Sequence, residues 1–166
     1  MIIISDTSPL HLLIQVGQIQ VLPALFTNVV IPTEVTAELS HPNTPLPVQT
    51  FIAAPSPWLS IQQPTTLLPS SALHPEETAA ISLAIELQAL LLIDERDGRA
   101  EARSRGVRII GAIGALEQAA NAGLIVDLAT SSASSPTTRP SAFAPCRMLS
   151  SPGPSASGPS ARTTSA

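Results

Sequence analysis

Short apolar runs without polar alternation recur along the first 110 residues, and amphipathic or polar stretches separate them. The runs at 1–4, 28–31 and 90–93 are typical of strands that are buried on both faces. Two further runs, at 58–61 and 107–110, predict additional strands. Helices are predicted between the strands, at 9–16, 19–26, 33–39, 47–54, 75–87, 96–105 and 113–122. This alternation predicts an α/β fold with a central parallel sheet in a three-layer α/β/α arrangement.

The first strand leads directly into an aspartate and a predicted helix. Asp6 follows the strand at its carboxyl end, which is the edge where open α/β sheets bind their ligands. Ser8 followed by Pro9 is the pattern of a helix N-cap with proline at the first helical position. The sequence therefore predicts a carboxylate beside a helix N-terminus, with a simple turn or capping acid as the competing interpretation.

Four acidic residues stand out by their positions in the predicted fold: Asp6, Glu38, Glu77 and Asp94. The two aspartates end buried strands that would share one sheet edge, and the two glutamates lie on helices. Carboxylates brought together repel one another unless a cation binds, and a ligand set made of oxygens favours Mg²⁺ or Mn²⁺. Such an ion can activate water and stabilise a displacement at phosphorus. Each helical glutamate alone is more often solvated, and the loop after Asp94 offers other acids, Asp97 among them.

The charge is distributed unevenly along the chain. All twelve acidic residues and five of the eight arginines lie within residues 1–129, which gives this part a formal charge of −7. A body of this charge does not hold nucleic acid by bulk attraction, so a cation would have to offset its acids. The arginines Arg96, Arg99 and Arg103 form either a solvated helix face or a track for an RNA backbone.

Other residue types exclude several kinds of site. The single cysteine, Cys146, excludes an internal disulfide framework and a cysteine-based zinc site. His11 is expected to pack within the first helix, and His41 and His74 lie in proline-rich loops without metal-ligand spacing. The sequence shows neither a signal-peptide pattern nor an apolar run of about 18 residues, so we expect a cytoplasmic protein without a membrane span.

The composition changes abruptly near Thr130. From there to Ala166 the chain is rich in Ser, Ala, Pro, Thr and Gly, and it has no periodic apolar pattern. Such a segment buries too little surface to offset the entropy of ordering. The sequence therefore predicts one domain at 1–129 and, at 130–166, a tail that is disordered or translated from a shifted reading frame.

Several motifs follow one another in a characteristic order: S-D-T-S-P-L at 5–10, V-I-P-T-E-V at 30–35 with E-L at 38–39, P-E-E-T-A-A-I at 75–81, L-L-I-D-E-R at 91–96, G-R at 98–99, G-V at 106–107 and G-A-I-G at 111–114. Together they resemble the PIN-domain ribonucleases, in particular a prokaryotic branch close to the VapC-type toxins. The resemblance covers about residues 1–126. The family's C-terminal part is not matched, and Glu76 stands where this branch usually has glycine.

The resemblance implies a site, a cofactor and partners. Asp6, Glu38 and Glu77 match the first three metal-binding acids of the family, and Asp94 most nearly matches the fourth, with Asp97 as a substitute. Ser8 matches a hydroxyl that supports the first acid. The family further implies a ribonuclease dependent on Mg²⁺ or Mn²⁺, a homodimer, and neutralisation by a small antitoxin protein.

Two other functions compete with this interpretation. A phosphotransferase of the haloacid-dehalogenase type also has an aspartate after its first strand, but that family needs a second aspartate where Ser8 stands, and this chain has no lysine. A catalytically impaired PIN fold that serves as an interaction module is the non-enzymatic alternative.

Overall fold

The structure is a computed structural model, and it describes residues 1–69 and 73–125. The tail predicted at 130–166, together with its boundary at 129, lies outside the described residues. Within those two described ranges, no helix is both long enough and apolar enough to cross a membrane.

Five parallel strands form one sheet in the described part of the chain. They are β1 (Ile2–Ser5), β2 (Asn28–Pro32), β3 (Leu59–Gln62), β4 (Leu90–Leu92) and β5 (Ile109–Ile110). The strand order is β3-β2-β1-β4-β5. The chain therefore adds β2 and β3 on one side of β1 and then adds β4 and β5 on the other side. The reversal lies between β1 and β4, and open α/β sheets bind ligands beyond the carboxyl ends of the strands at such a point.

The described helices lie on both faces of the sheet. They are α1 (Thr7–Gln15), α2 (Val21–Leu25), α3 (Thr33–Leu39), α4 (Leu46–Ala53), α5 (Pro75–Glu86), α6 (Arg96–Ser104) and α7 (Ala112–Asn121). Neighbouring residues of a strand face opposite layers. Ile3 and Leu92 join a core with α1, α2, α3, α4 and α7, whereas Ile4 and Leu91 join a core with α5 and α6. The predicted parallel α/β sheet covered on both faces is confirmed.

The start of α1 differs from the prediction. Asp6, not Ser8, is the N-cap residue, so the predicted cap was wrong by two positions. Asp6 has an extended backbone (φ −81°, ψ 171°), and its N–H donates to Leu92 O at 3.0 Å. The strand therefore continues its pairing up to the residue where the helix begins. Pro9 still fits within the first turn, because a helix does not use the N–H groups of that turn.

Candidate active site

A cleft of about 560 Å³ opens at the carboxyl edge of the sheet, beside the point of reversal. Its walls come from the start of α1, from α3, from the start of α5 and from the loop that leads into α6. Six of the ten residues that line it are acidic: Asp6, Glu38, Glu76, Glu77, Glu95 and Asp97. The other four are Thr7, Ser8, His74 and Arg96. One arginine against six acids makes this cleft strongly negative.

Asp6 lies in the floor of the cleft with an unsatisfied carboxylate. Its residue surface is only 1% exposed, and Oδ1 is buried without a hydrogen-bond partner. An aspartate at an N-cap usually accepts a hydrogen bond from the second or third helical N–H, but here no such bond forms. One reason is local, since the third helical residue is Pro9, which has no N–H to donate. Pro9 therefore removes one of the N–H groups that usually donate to an N-cap aspartate.

The surroundings of Asp6 disfavour its charged form. Burial is the largest cause, and it raises the pKa of Asp6 from 3.8 to about 7. The N–H of Thr7 acts in the opposite direction, whereas the charges of Glu77, Glu76 and Glu38 add to the increase. Burial and neighbouring acids, Glu38 first, also raise the pKa of Glu76. The cleft concentrates negative charge that its own side chains do not neutralise.

Glu77 is held in place from two sides. It is 5% exposed, and its Oε2 accepts a hydrogen bond from the His74 N–H at 3.0 Å, which satisfies a free donor at the start of α5. On the other side, α6 approaches so closely at Gly98 that an added Cβ would lie 2.7 Å from Glu77 Oε1 and 2.6 Å from Ile93 Cδ1. Glycine at this position therefore leaves room for the Glu77 carboxylate.

The remaining predicted acids have different surroundings. Glu38 lines the cleft from α3 with an exposed side chain, and Asp97 lines it from the first turn of α6. Ser8, predicted to support the first acid, instead donates to Glu95 Oε1 at 3.2 Å. The structure brings Asp6, Glu38, Glu77, Asp97 and Ser8 to one cleft.

Asp94 is not among the residues that line the cleft, which departs from its expected role as the fourth acid. Its Oδ1 accepts a hydrogen bond from the Ala112 N–H at 3.0 Å, at the start of α7. Gly111 passes so close that an added Cβ would lie 2.7 Å from Asp94 Oδ1. The carboxylate joins the β4 loop to α7, and the cleft takes its acids from the next residues of the loop.

The three arginines of the predicted RNA track, Arg96, Arg99 and Arg103, have different surroundings. Arg96 lines the cleft, but Arg99 is part-buried and donates from Nη1 to Ile93 O at 3.0 Å. Arg103 lies in the last turn of α6 and does not line the cleft. Only the first of the three arginines is placed to meet a ligand there.

Sequence reasoning missed His74, Glu76 and Glu95 as cleft residues. Glu76 and Glu95 each adjoin a predicted acid, Glu76 at the start of a helix and Glu95 in the loop that leads into α6. These positions could have identified both residues from the sequence. His74 is the N-cap residue of α5, and the Pro75 that follows it marks the helix start. A histidine one residue before a helix that carries Glu77 was therefore a detectable candidate.

The donor set of the cleft fits a hard divalent cation in its chemistry. The residues offer carboxylate oxygens, and the buried Asp6 Oδ1 lacks a partner. Nevertheless, no group of three or more His, Cys, Asp or Glu side chains within residues 1–69 and 73–125 is arranged to hold a metal ion. A cation would require the exposed side chains of Glu38 and Asp97 to turn toward Asp6, which their lack of packing permits.

Comparison with known proteins gives the family context. A family model described as "DUF3368: PIN domain" matches residues 2–132. Among solved structures, a PilT N-terminus domain protein from the hyperthermophilic archaeon Sulfolobus solfataricus P2 is similar, with a TM-score of 0.52 and 18% identity. The match covers 71% of this chain and 92% of the archaeal chain, and it shows a shared fold. No curated protein matches the sequence significantly.

Proposed function

Because the chain belongs to the PIN-domain family, whose fold is generally that of a nuclease, we propose that it is a divalent-metal-dependent endoribonuclease. The acidic cleft at the carboxyl edge of the sheet is its proposed active site. The resemblance of the sequence motifs to the VapC-like branch supports RNA as the substrate. The matching family model is a PIN domain, so it gives no support to the haloacid-dehalogenase alternative.

One observation carries the proposal: Oδ1 of the buried Asp6 carboxylate has no hydrogen-bond partner in the protein. Burying a polar group without a hydrogen bond costs free energy, and burying a charge without a partner costs more. Three glutamates add repulsion to the cost of burial at Asp6. A fold gains nothing from such an arrangement unless a ligand of positive charge compensates it.

The residues proposed to hold the cation are Asp6, Glu38 and Glu77, with a fourth carboxylate from Glu95 or Asp97. Bound Mg²⁺ or Mn²⁺ would activate water and stabilise negative charge on the phosphate. Asp6 provides a fixed oxygen, because its N–H is bonded to Leu92 O and its side chain is buried. Arg96 offers the cleft a positive group for a phosphate oxygen.

The roles of the loop acids follow from their positions. Glu95 is joined to Ser8 on α1, so it is held near the residues around Asp6. Asp97 lies two residues further on, in the first turn of α6, and lines the same cleft. We assign the fourth ligand to this pair in place of Asp94, which does not line the cleft.

Cleavage of a labelled single-stranded RNA by the full-length protein tests the function. We expect cleavage with Mg²⁺ or Mn²⁺, none in excess chelator, and none with Asp6→Asn. Asp94→Asn is the matched control, because it changes the corresponding aspartate after the neighbouring strand and should keep most of the activity. Undiminished cleavage in excess chelator would contradict the metal-dependent mechanism.

The proposed partners rest on the resemblance to the VapC-like branch alone. They are a second copy of the chain in a homodimer and a small antitoxin protein that neutralises the nuclease. Light scattering of the purified protein tests the first, with a mass twice that of the 17.2 kDa chain as the expected result. Growth arrest on expression, relieved by the product of a neighbouring gene, tests the second.

An impaired PIN fold that binds a partner protein is the second candidate. The observation that favours it is that the carboxylates of the described residues are not grouped to hold a metal ion. Titration of the protein with Mn²⁺ in a calorimeter separates the two candidates. Saturable binding that Asp6→Asn removes supports the nuclease, and absence of binding supports the interaction module.

A further inference from the structure

A second cavity, of about 490 Å³, adjoins the acidic cleft. The two cavities share Thr7, Ser8 and Glu38 as lining residues, so they lie side by side at the start of α1. The volume lies within the range of about 300–1,000 Å³ that is usual for small-ligand pockets. We call this second cavity the histidine groove, after His11 and His41, which line it.

The three histidines of the chain all line one or the other cavity. His74 lines the acidic cleft, whereas His11 and His41 line the histidine groove. His11 comes from α1, and His41 comes from the segment between α3 and α4. The chain contains no tyrosine, and neither cavity is lined by phenylalanine or tryptophan. Histidine is therefore the only aromatic residue that these two cavities present to a ligand.

The wall that carries His41 is attached to Glu38, one of the proposed metal ligands. The carbonyl of Glu38 accepts hydrogen bonds from the His41 N–H at 3.0 Å and from Thr44 Oγ1 at 3.2 Å. The Thr44 N–H donates to His41 O at 2.9 Å, and Gln49 Nε2 donates to Thr44 O at 2.6 Å. These hydrogen bonds restrict the groove wall next to the cleft, and such restriction lowers the entropic cost of binding.

The hydrogen bonds also orient the His41 ring. The Asn43 N–H donates to His41 Nδ1 at 3.2 Å, so in the neutral ring Nε2 carries the proton. His41, with its Nε2–H, and Asn43, with its carboxamide, are polar residues that line the groove. They provide both a donor and an acceptor beside the aromatic surface.

The two cavities differ sharply in charge. Six acids line the cleft, but Glu38 is the only acid that lines the groove. A polynucleotide that presents one phosphate to a cation in the cleft is repelled by the remaining acids around it. Its neighbouring nucleotide meets less repulsion in the groove, which one acid lines, than in the cleft, which six acids line. Aromatic faces and mixed donors and acceptors are the groups that bind unpaired bases.

We propose that the histidine groove is the subsite that holds the nucleotide next to the scissile phosphate of single-stranded RNA. The base lies against the imidazoles of His11 and His41, and its polar edge meets Asn43. This inference rests on the proposed function and adds to it the residues that contact the nucleotide next to the scissile phosphate.

Steady-state cleavage of a single-stranded RNA with Mn²⁺ tests the subsite through His11→Ala, His41→Ala and the double variant. We expect the double variant to raise KM by about 5-fold or more, in line with the loss of one stacked base. We expect kcat to change less than about 2-fold, since neither histidine is a proposed metal ligand. Gln15→Ala is the matched control, because it lies one turn beyond His11 on α1 and outside both cavities.

Binding of an RNA with an abasic ribonucleotide beside the mapped cleavage position distinguishes contact with the base from a purely structural role of the two histidines. The abasic site should weaken binding to the wild-type protein and have little further effect on the double variant, because both changes remove the same contact. Equal losses in both proteins would overturn the proposal. So would an unchanged KM in a double variant whose thermal unfolding matches that of the wild type.

Fluorescence anisotropy with the same RNA in chelator separates failure of this inference from failure of the proposed function. If the wild type does not cleave RNA, the nuclease proposal fails, and weaker binding by the double variant still supports the groove as a nucleotide site. If the wild type cleaves and the double variant has wild-type KM and affinity, the nuclease proposal stands and the subsite proposal is overturned.

Discussion

Asp6 and Asp94 follow neighbouring strands at the same edge of the sheet, but the structure gives their carboxylates different surroundings. Asp6 has a buried oxygen without a partner, in a cleft with five other acids. Asp94 accepts the N–H of Ala112 and lies close to Gly111. Both aspartates follow buried strands, β1 and β4, which pair with each other in parallel. The difference between them is the supply of hydrogen-bond donors.

This difference indicates that Asp6 is available to bind a ligand, whereas Asp94 stabilises the fold. A carboxylate with an internal donor lowers the free energy of the folded state, because a helix N–H that would otherwise be free is satisfied. A buried carboxylate without one raises the free energy of the folded state. The absence of a partner at Asp6 is therefore better evidence for a ligand site than its place at the strand end.

The largest expected effect separates the two aspartates by activity. Asp6→Asn should reduce Mn²⁺-dependent RNA cleavage by about 1,000-fold, the upper end of the loss when one preorganised electrostatic group is removed. Asp94→Asn should keep most of the activity, since the amide oxygen can still accept the Ala112 N–H. Initial rates with matched protein concentrations check this. A similar loss in both variants would remove the distinction between the two sites.

The next effect concerns stability against pH in the absence of metal. The folded pKa of Asp6, about 7, lies above its ordinary value of 3.8, so the folded state binds more protons between these values. Stability therefore falls as pH rises from about 4 to 7, and the full penalty is present above pH 7. At pH 8 in chelator, Asp6→Asn should exceed the wild type by up to about 4 kcal/mol, and at pH 4 the two should converge.

Chemical denaturation across this pH range measures the difference. Glu86→Gln is a control of opposite sign, because hydrogen bonds from Thr65 lower the pKa of Glu86. Its contribution is present above the ordinary pKa and is lost on acidification. If Asp6→Asn and the wild type lost stability in parallel from pH 4 to 8, Asp6 would not be the titrating group.

Two glycines offer a smaller test of the same comparison. Gly98→Ala places a Cβ 2.6 Å from Ile93 Cδ1 and 2.7 Å from Glu77 Oε1, so it should destabilise by about 1–3 kcal/mol and also reduce cleavage. Gly111→Ala crowds Asp94 and Arg99 instead, so it should destabilise without a specific loss of activity. Thermal unfolding and cleavage rates, measured at a temperature where both variants are folded, check this. Equal activity losses would contradict it.

The smallest effect is the contribution of Asp94 to stability. Asp94→Ala removes the acceptor of the Ala112 N–H and should cost about 0.5–2 kcal/mol, as loss of a helix cap does. Asp94→Asn keeps an acceptor oxygen and should cost less. Urea denaturation at pH 7 measures both. Equal costs for the two variants would show that the negative charge of Asp94, and not the hydrogen bond, is what matters.

Much of the fold follows from local patterns in the sequence. Apolar runs such as 90–93 mark buried strands, and proline or glycine marks the ends of several helices, so the alternation of elements was predictable. The start of α1 was not, because a cap at Asp6 and a cap at Ser8 are both compatible with the local sequence. Pairing of the Asp6 N–H with Leu92, which is remote in the chain, decides between them.

The candidate site was predictable to a similar extent. The residue types at 6, 38 and 77 and the parallel sheet were enough to bring three acids to one edge. Which acid of the loop at 94–97 faces the cleft could not be predicted, because it depends on the approach of α7 and its free N–H. The histidines were missed for the same reason, since His11 and His41 line one cavity only because α1 lies beside the segment after α3.

The sequence by itself determined the order of strands and helices, the family motifs and the excess of acids in residues 1–129. These depend on hydrophobic periodicity, backbone preferences and charge, which act over a few residues or are simple sums. Only the tertiary structure decided that Asp6 Oδ1 lacks a partner, that Asp94 Oδ1 has one, and that three histidines line two adjacent cavities. Burial and hydrogen-bond satisfaction depend on groups brought together from distant parts of the chain.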